Sequence, residues 1–158
     1  MREILFRGKP KNEADYEFLK KMYKDNCKDG FIYGSLVISH GKYYICIMAL
    51  CQINSLVDNG NTTMFEVIPE TVGEYTCLKD KNDKKIFEGD IIKYKNTDGI
   101  KFNGVALTVI GKVVYNEKNA SFAISGKDEI GAKHYDYFPI KNIEVIGNIF
   151  DNPEILKG

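Results

Sequence analysis

The chain of 158 residues has no surplus of either charge, since Lys and Arg together number 22 and so do Asp and Glu. A protein that grips DNA regardless of its sequence normally carries a basic excess, because neutralised phosphates supply that affinity. The balance argues against that class, and it leaves little self-repulsion to oppose association with further copies. Long apolar runs are also missing. The longest, around Tyr43 to Leu50, falls far short of the roughly 20 residues that cross a bilayer. The opening Met1–Gly8 is too short and too charged for a secretory signal. Cysteine is sparse and unpatterned: Cys27, Cys46, Cys51 and Cys77 form no Cys-x-x-Cys pair. They read as free thiols buried in a reducing compartment, so the expectation is a soluble, cytoplasmic protein.

Catalytic patterns are equally scarce. There are 2 histidines, His40 in a tight turn and His134 beside Tyr135 and Asp136. His134 with Asp136 is the one pairing that suggests base catalysis, although residues two apart on a strand share a face without aligned side chains. No serine sits in a Gly-x-Ser-x-Gly elbow. The string Asp80-Lys81-Asn82-Asp83-Lys84-Lys85 begins like a calcium loop, but Lys85 stands at the glycine position and Ile91 at the bidentate glutamate. A hairpin turn accounts for the same residues. Gly111-Lys112 and Gly126-Lys127 lack the first glycine of a phosphate loop, which Ala106 and Ser121 replace. The reading is therefore no catalytic, metal or cofactor-binding residues, no cofactor, and no enzyme.

What the chain does contain is material for a core: 44% hydrophobic and 28% charged residues, the proportions of a globular protein. Ile4 to Arg7 suits a short strand ended by Gly8. Asn12 is placed to cap a helix from Glu13 to about Lys24, with Glu13 and Asp15 in the first turn and Lys20, Lys21 and Lys24 near the end. Tyr16, Leu19 and Tyr23 give it one apolar face, widened by Phe18.

After Asp29 every segment reads as strand. Phe31–Ser39 and Tyr43–Cys51 flank the turn His40-Gly41-Lys42. The second of these strands is apolar on both sides, so it is either central and covered twice or turned toward another subunit. A short strand, Met64–Ile68, stops at Pro69. Cys77–Lys79 and Lys85–Phe87 form a second hairpin, and Glu88-Gly89-Asp90 bends the chain into Ile91–Tyr94. Asn96–Gly104 reads as a polar loop. Val105–Tyr115 is a long strand with Gly111 at a bulge or bend, followed by Ser121–Ile124, His134–Phe138, a Pro139–Asn142 turn and the closing strand Ile143–Phe150.

From Glu88 onward this order resembles an SH3-like barrel. The expected fold is α+β and predominantly β: residues 1–87 as a helix-plus-strands portion, then 88–158 as the small barrel, in one compact unit. Tyr94, Tyr115, Tyr135 and Tyr137, with Lys93, Lys112 and Lys133 nearby, are candidates for a base-stacking face. The alternative is that these tyrosines pack in the core.

Three strings carry a resemblance: Arg2–Gly8 (REILFRG), Pro69–Asn82 with Ile86–Ile92 (PETVGEYTCLKDKN and IFEGDII), and Glu144–Pro153 (EVIGNIFDNP). Together the chain is similar to the YopX family of small proteins encoded by bacteriophages and prophages. The family usually has glycine where Asp83 stands, and the Asn12–Asp25 segment is longer than its usual spacer. The resemblance implies a phage or prophage origin and a bacterial cytoplasmic setting; it implies no activity and no catalytic residues. The resulting expectation is a non-enzymatic module that self-associates and binds a phage or host protein. Nucleic-acid binding through the barrel face is the alternative, and no membrane partner is expected.

Overall fold

The computed structural model describes residues 2–47, 64–102, 105–138 and 142–157. The chain divides into two compact units, Met1–Tyr75 and Thr76–Gly158. The hairpin after Thr76 lies in the second unit, with the C-terminal strands.

In the first unit, β1 (Phe6–Gly8), β3 (Phe31–Ser39), β4 (Lys42–Cys46) and β5 (Met64–Val67) form an antiparallel sheet in the order β5-β4-β3-β1, with the short β2 (Cys27–Lys28) also on β3. One helix, α1 (Glu13–Met22), covers a face of it. Asn12 Oδ1 accepts the Ala14 N–H at 3.0 Å, the capping bond expected from the sequence. The helix ends at Met22, two residues early, and a 3₁₀ turn at Lys24–Asn26 follows. Leu19 plugs the sheet with Ile32, Ile45, Ile47, Phe65 and Val67. Phe18 and Met22 point outward instead, 50% and 61% exposed.

The β3–β4 turn has His40 at φ 50° and Gly41 at φ 73°, the double positive φ of a tight two-residue hairpin. The doubly apolar strand proves to be central, lying between β3 and β5. Ile45, Cys46 and Ile47 are buried within this one chain; Met48–Cys51 lie outside the described residues.

In the second unit, β8 (Asp90–Phe102), β9 (Val105–Asn116), β10 (Ser121–Asp128), β11 (Lys133–Tyr137) and β12 (Glu144–Asn148) form an antiparallel sheet ordered β11-β10-β9-β8-β12. It is a curled half-barrel, with β11 and β12 as its edges among the described residues. The expected loop from Asn96 is largely strand, because β8 continues to Phe102, with a register shift between Asn96 and Lys101. Asn103, Gly104 and the Pro139–Lys141 turn lie outside the described residues.

The inner face packs Ile92, Tyr94, Val109, Val113 and Ile124 against Ile86 and Ile143. Ile86 comes from β7 (Lys85–Phe87), the hairpin partner of β6 (Gly73–Lys79), whose first residues pair with β1. Gly111 makes no bulge. It faces Gly126 in an unbroken ladder, and a Cβ on Gly126 would lie 2.2 Å from the Ile110 carbonyl oxygen and 2.5 Å from Gly111 Cα. Two facing glycines therefore let the backbones approach where the sheet curls.

Candidate functional site

The residues between the inward-facing ones on β8, β9 and β10 line an open groove of about 770 Å³ on the outer face of the half-barrel. Period-two alternation explains its composition. On β9, Leu107, Val109 and Val113 enter the core, while Thr108, Ile110 and Lys112 face the groove. Lys93, Ser125, Lys127, Lys133 and Tyr135 join them from the neighbouring strands, and Ile155 and Leu156 of a C-terminal 3₁₀ helix (Pro153–Lys157) close one side.

The ladder registers order these side chains. Lys93 lies opposite Ile110, Ile110 opposite Lys127, and Lys127 opposite Lys133, so one row crosses four strands. The adjacent row holds Lys112, Ser125 and Tyr135. Lys93, Lys112, Lys127 and Lys133 are all exposed. Among the described residues none of the four has a carboxylate partner. Lys127 directly facing Lys133 is a like-charge cross-strand pair, an arrangement that destabilises a ladder. The side-chain hydroxyls of Thr108 and Ser125 likewise form no hydrogen bond among the described residues.

At one end of the groove stand Glu129 and the Asp128–His134 pair. His134 Nε2 lies 2.9 Å from Asp128 Oδ2, a carboxylate on β10; Asp136 is the partner that proximity in sequence suggests. The side chain of Asp136 lies outside the described residues. Asp128 Oδ1 accepts the Ala132 N–H at 2.8 Å and the Ile130 N–H at 3.1 Å. The His134 bond and these two amides outweigh desolvation and hold the carboxyl below the usual range. Asp128 therefore braces the β10–β11 turn as well as the imidazole.

Two aspartates of the central string do similar work. Asp80 Oδ1 accepts the Asn82 N–H at 2.7 Å and the Lys84 N–H at 3.0 Å, and its Oδ2 accepts the Val145 N–H at 3.1 Å. Burial alone would raise its pKa, but those three amides and the Lys84 charge overcome it, so the shift is downward. Asp90 Oδ2 accepts the Phe87 N–H at 2.8 Å. In the closing string, Asn148 Oδ1 accepts the N–H groups of Phe150 and Asp151, both at 3.0 Å. These polar residues fasten turns, and the calcium-like string is a hairpin turn. Among the described residues no group of three or more His, Cys, Asp or Glu is arranged to hold a metal ion.

The family model described as YopX protein matches residues 13–157. The chain belongs to the YopX family. The match takes in the central and closing strings, while the opening string Arg2–Gly8 precedes it. No curated protein matches the chain. In this YopX-family chain Asp83 adopts φ 63°, the left-handed conformation that a glycine accommodates without strain.

Of the residues singled out for a stacking face, the groove gathers Lys93, Lys112, Lys133 and Tyr135. Tyr94 is in the core, 3% exposed. Tyr115 packs edge-on to Phe122 at 5.3 Å, and the side chain of Tyr137 lies outside the described residues. Lys127, Thr108 and Ser125 were not anticipated. Alternation counted back from Val113 and Ile124 was the signal available for them. Cys27 is a free thiol, and burial pushes it up to about 11; Cys51 lies outside the described residues. Among the described residues, no helix is long and apolar enough to cross a membrane.

Proposed function

We propose that this YopX-family chain is a non-enzymatic binding module, encoded by phage or prophage and working in the bacterial cytoplasm, that holds an anionic polymer on the outer face of its half-barrel. The observation that carries the reading is the set of four lysines on one sheet face without carboxylate partners, two of them directly opposed. Opposed like charges cost stability unless a ligand neutralises them. The non-enzymatic part draws support from Asp128, whose second oxygen is committed to turn amides, and from Ser125, whose hydroxyl is not bonded to the His134 ring. A base that activates a nucleophile needs that contact or one through water.

The direct test is titration with inorganic polyphosphate, followed by backbone amide shifts. Shifts centred on β8–β11 that fade as salt is raised are expected; shifts elsewhere, or none at low salt, would refute the reading. A second reading is self-association or docking of a phage or host protein. It has the outward pair Phe18 and Met22 on α1 behind it. Light scattering of the wild type and of Phe18→Ser/Met22→Ser decides it: a monomer in both at micromolar concentration removes the self-association arm.

A further inference from the structure

The two rows of the groove differ in chemistry, and the difference points to a particular polymer. We infer that the occupant is a single nucleic-acid strand whose phosphates follow Lys93, Lys127 and Lys133 while a base stacks on Tyr135. This rests on the anion-binding reading above and adds the ligand class.

The row crosses four adjacent strands, with lysines on three of them and Ile110 between Lys93 and Lys127, so it is an extended track rather than a pocket for one small anion. A simple polyanion would be served by that track alone. The next row adds an aromatic ring: Tyr135 is 46% exposed, lies across the ladder from Ser125, and lines the same groove as the lysines. Phosphate track and aromatic platform side by side are the two parts of sequence-tolerant single-strand binding. A duplex buries its base faces in its own stack and has none to offer Tyr135, whereas an unstacked strand does. At ~0.7 counterions per neutralised phosphate, three or four lysines give a log–log salt slope of about −2 to −3. The cavity of about 770 Å³ is within the range that encloses a drug-sized ligand, on the order of two nucleotides.

The test is fluorescence anisotropy of the full chain with labelled oligothymidylate and oligouridylate of about twelve nucleotides, against a duplex of equal length and against polyphosphate. Expected is binding of both single strands within about threefold of each other, about tenfold weaker duplex binding, and the salt slope above. Tyr135→Ala should lose about tenfold for the oligonucleotides and nothing for polyphosphate, while Tyr135→Phe keeps both. Lys127→Glu should weaken every anion and flatten the slope. Polyphosphate binding without oligonucleotide binding would overturn this inference and leave the anion-binding reading standing. Equal affinity for the duplex, or indifference to Tyr135→Ala, would overturn it too. Failure of all anions would refute both.

Discussion

The two units solve the same packing problem with opposite outcomes for the second face of the sheet. In the first, β4 and the residue after it put Tyr43, Ile45 and Ile47 in the core with Leu19 of α1, and the residues between them, Tyr44 and Cys46, are also at least half-buried. In the second, the alternate residues are Thr108, Ile110 and Ser125 with four lysines, and the lysines stay exposed. Each unit uses glycine to bring backbones together: a Cβ on Gly34 would lie 2.2 Å from the Cys46 carbonyl oxygen, as one on Gly126 would from that of Ile110. The lesson is that close strand packing is structural in both units, and ligand capacity follows from what alternates with the core residues.

The largest expected effect breaks the shared device. Gly126→Ala should cost about 3 kcal/mol or more, since a backbone atom must move to admit the methyl. Gly34→Ala should act comparably on its own sheet. Amide exchange protection, read unit by unit in each variant, checks this, and unchanged protection of β9 and β10 in Gly126→Ala would show the clash is harmless.

Next comes Asp80→Ala, which frees three amides from a charged acceptor and should cost about 2 to 3 kcal/mol by urea denaturation. Its pH dependence follows from the downward shifts of Asp80 and Asp128. Folded-state pKa values below the unfolded ones add stability that is fully present above about pH 4 and disappears as pH falls through the folded values. The difference between wild type and Asp80→Asn should accordingly shrink on acidification; a gap that persists at pH about 2 would contradict the assignment.

A smaller effect of opposite sign sharpens the contrast between the open and covered faces. Lys127→Glu turns the like-charge pair with Lys133 into an attractive one and should raise stability by about 0.5 kcal/mol, even as anion binding declines. Thermal melts at low salt measure it, and destabilisation would mean the pair is not in repulsion. Smallest is Asp83→Gly, which relieves the left-handed backbone at φ 63° and should gain about 0.5 kcal/mol after the loss of chain entropy.

Much of the fold was legible from local chemistry. The Asn12 cap, the His40-Gly41 hairpin and the Ile91 and Val105 strands each depend on neighbours in sequence, and each stands where expected. Misjudged segments depended on distant partners. Asn96–Phe102 is polar enough for a loop, yet Asn96, Lys101 and Phe102 find partners on β9. Strand order alone suggested an SH3-like barrel, whereas the degree of closure is decided by which edges meet, and among the described residues the sheet is a half-barrel edged by β11 and β12. Of the candidate site, Lys93, Lys112, Lys133 and Tyr135 were visible as types, but their shared groove was not.

By itself the sequence determined the β-rich class, the family, the turn chemistry of Asp80 and Asp90, and which residues alternate with the core on each strand. These follow from short-range sterics and hydrogen bonding, which a linear pattern records. Only the tertiary structure decided that Lys93, Lys127 and Lys133 form one row, that His134 turns to Asp128, and that β4 lies between β3 and β5. Each of those depends on ladder register between strands far apart in the chain, and a one-residue slip would send every side chain to the other face.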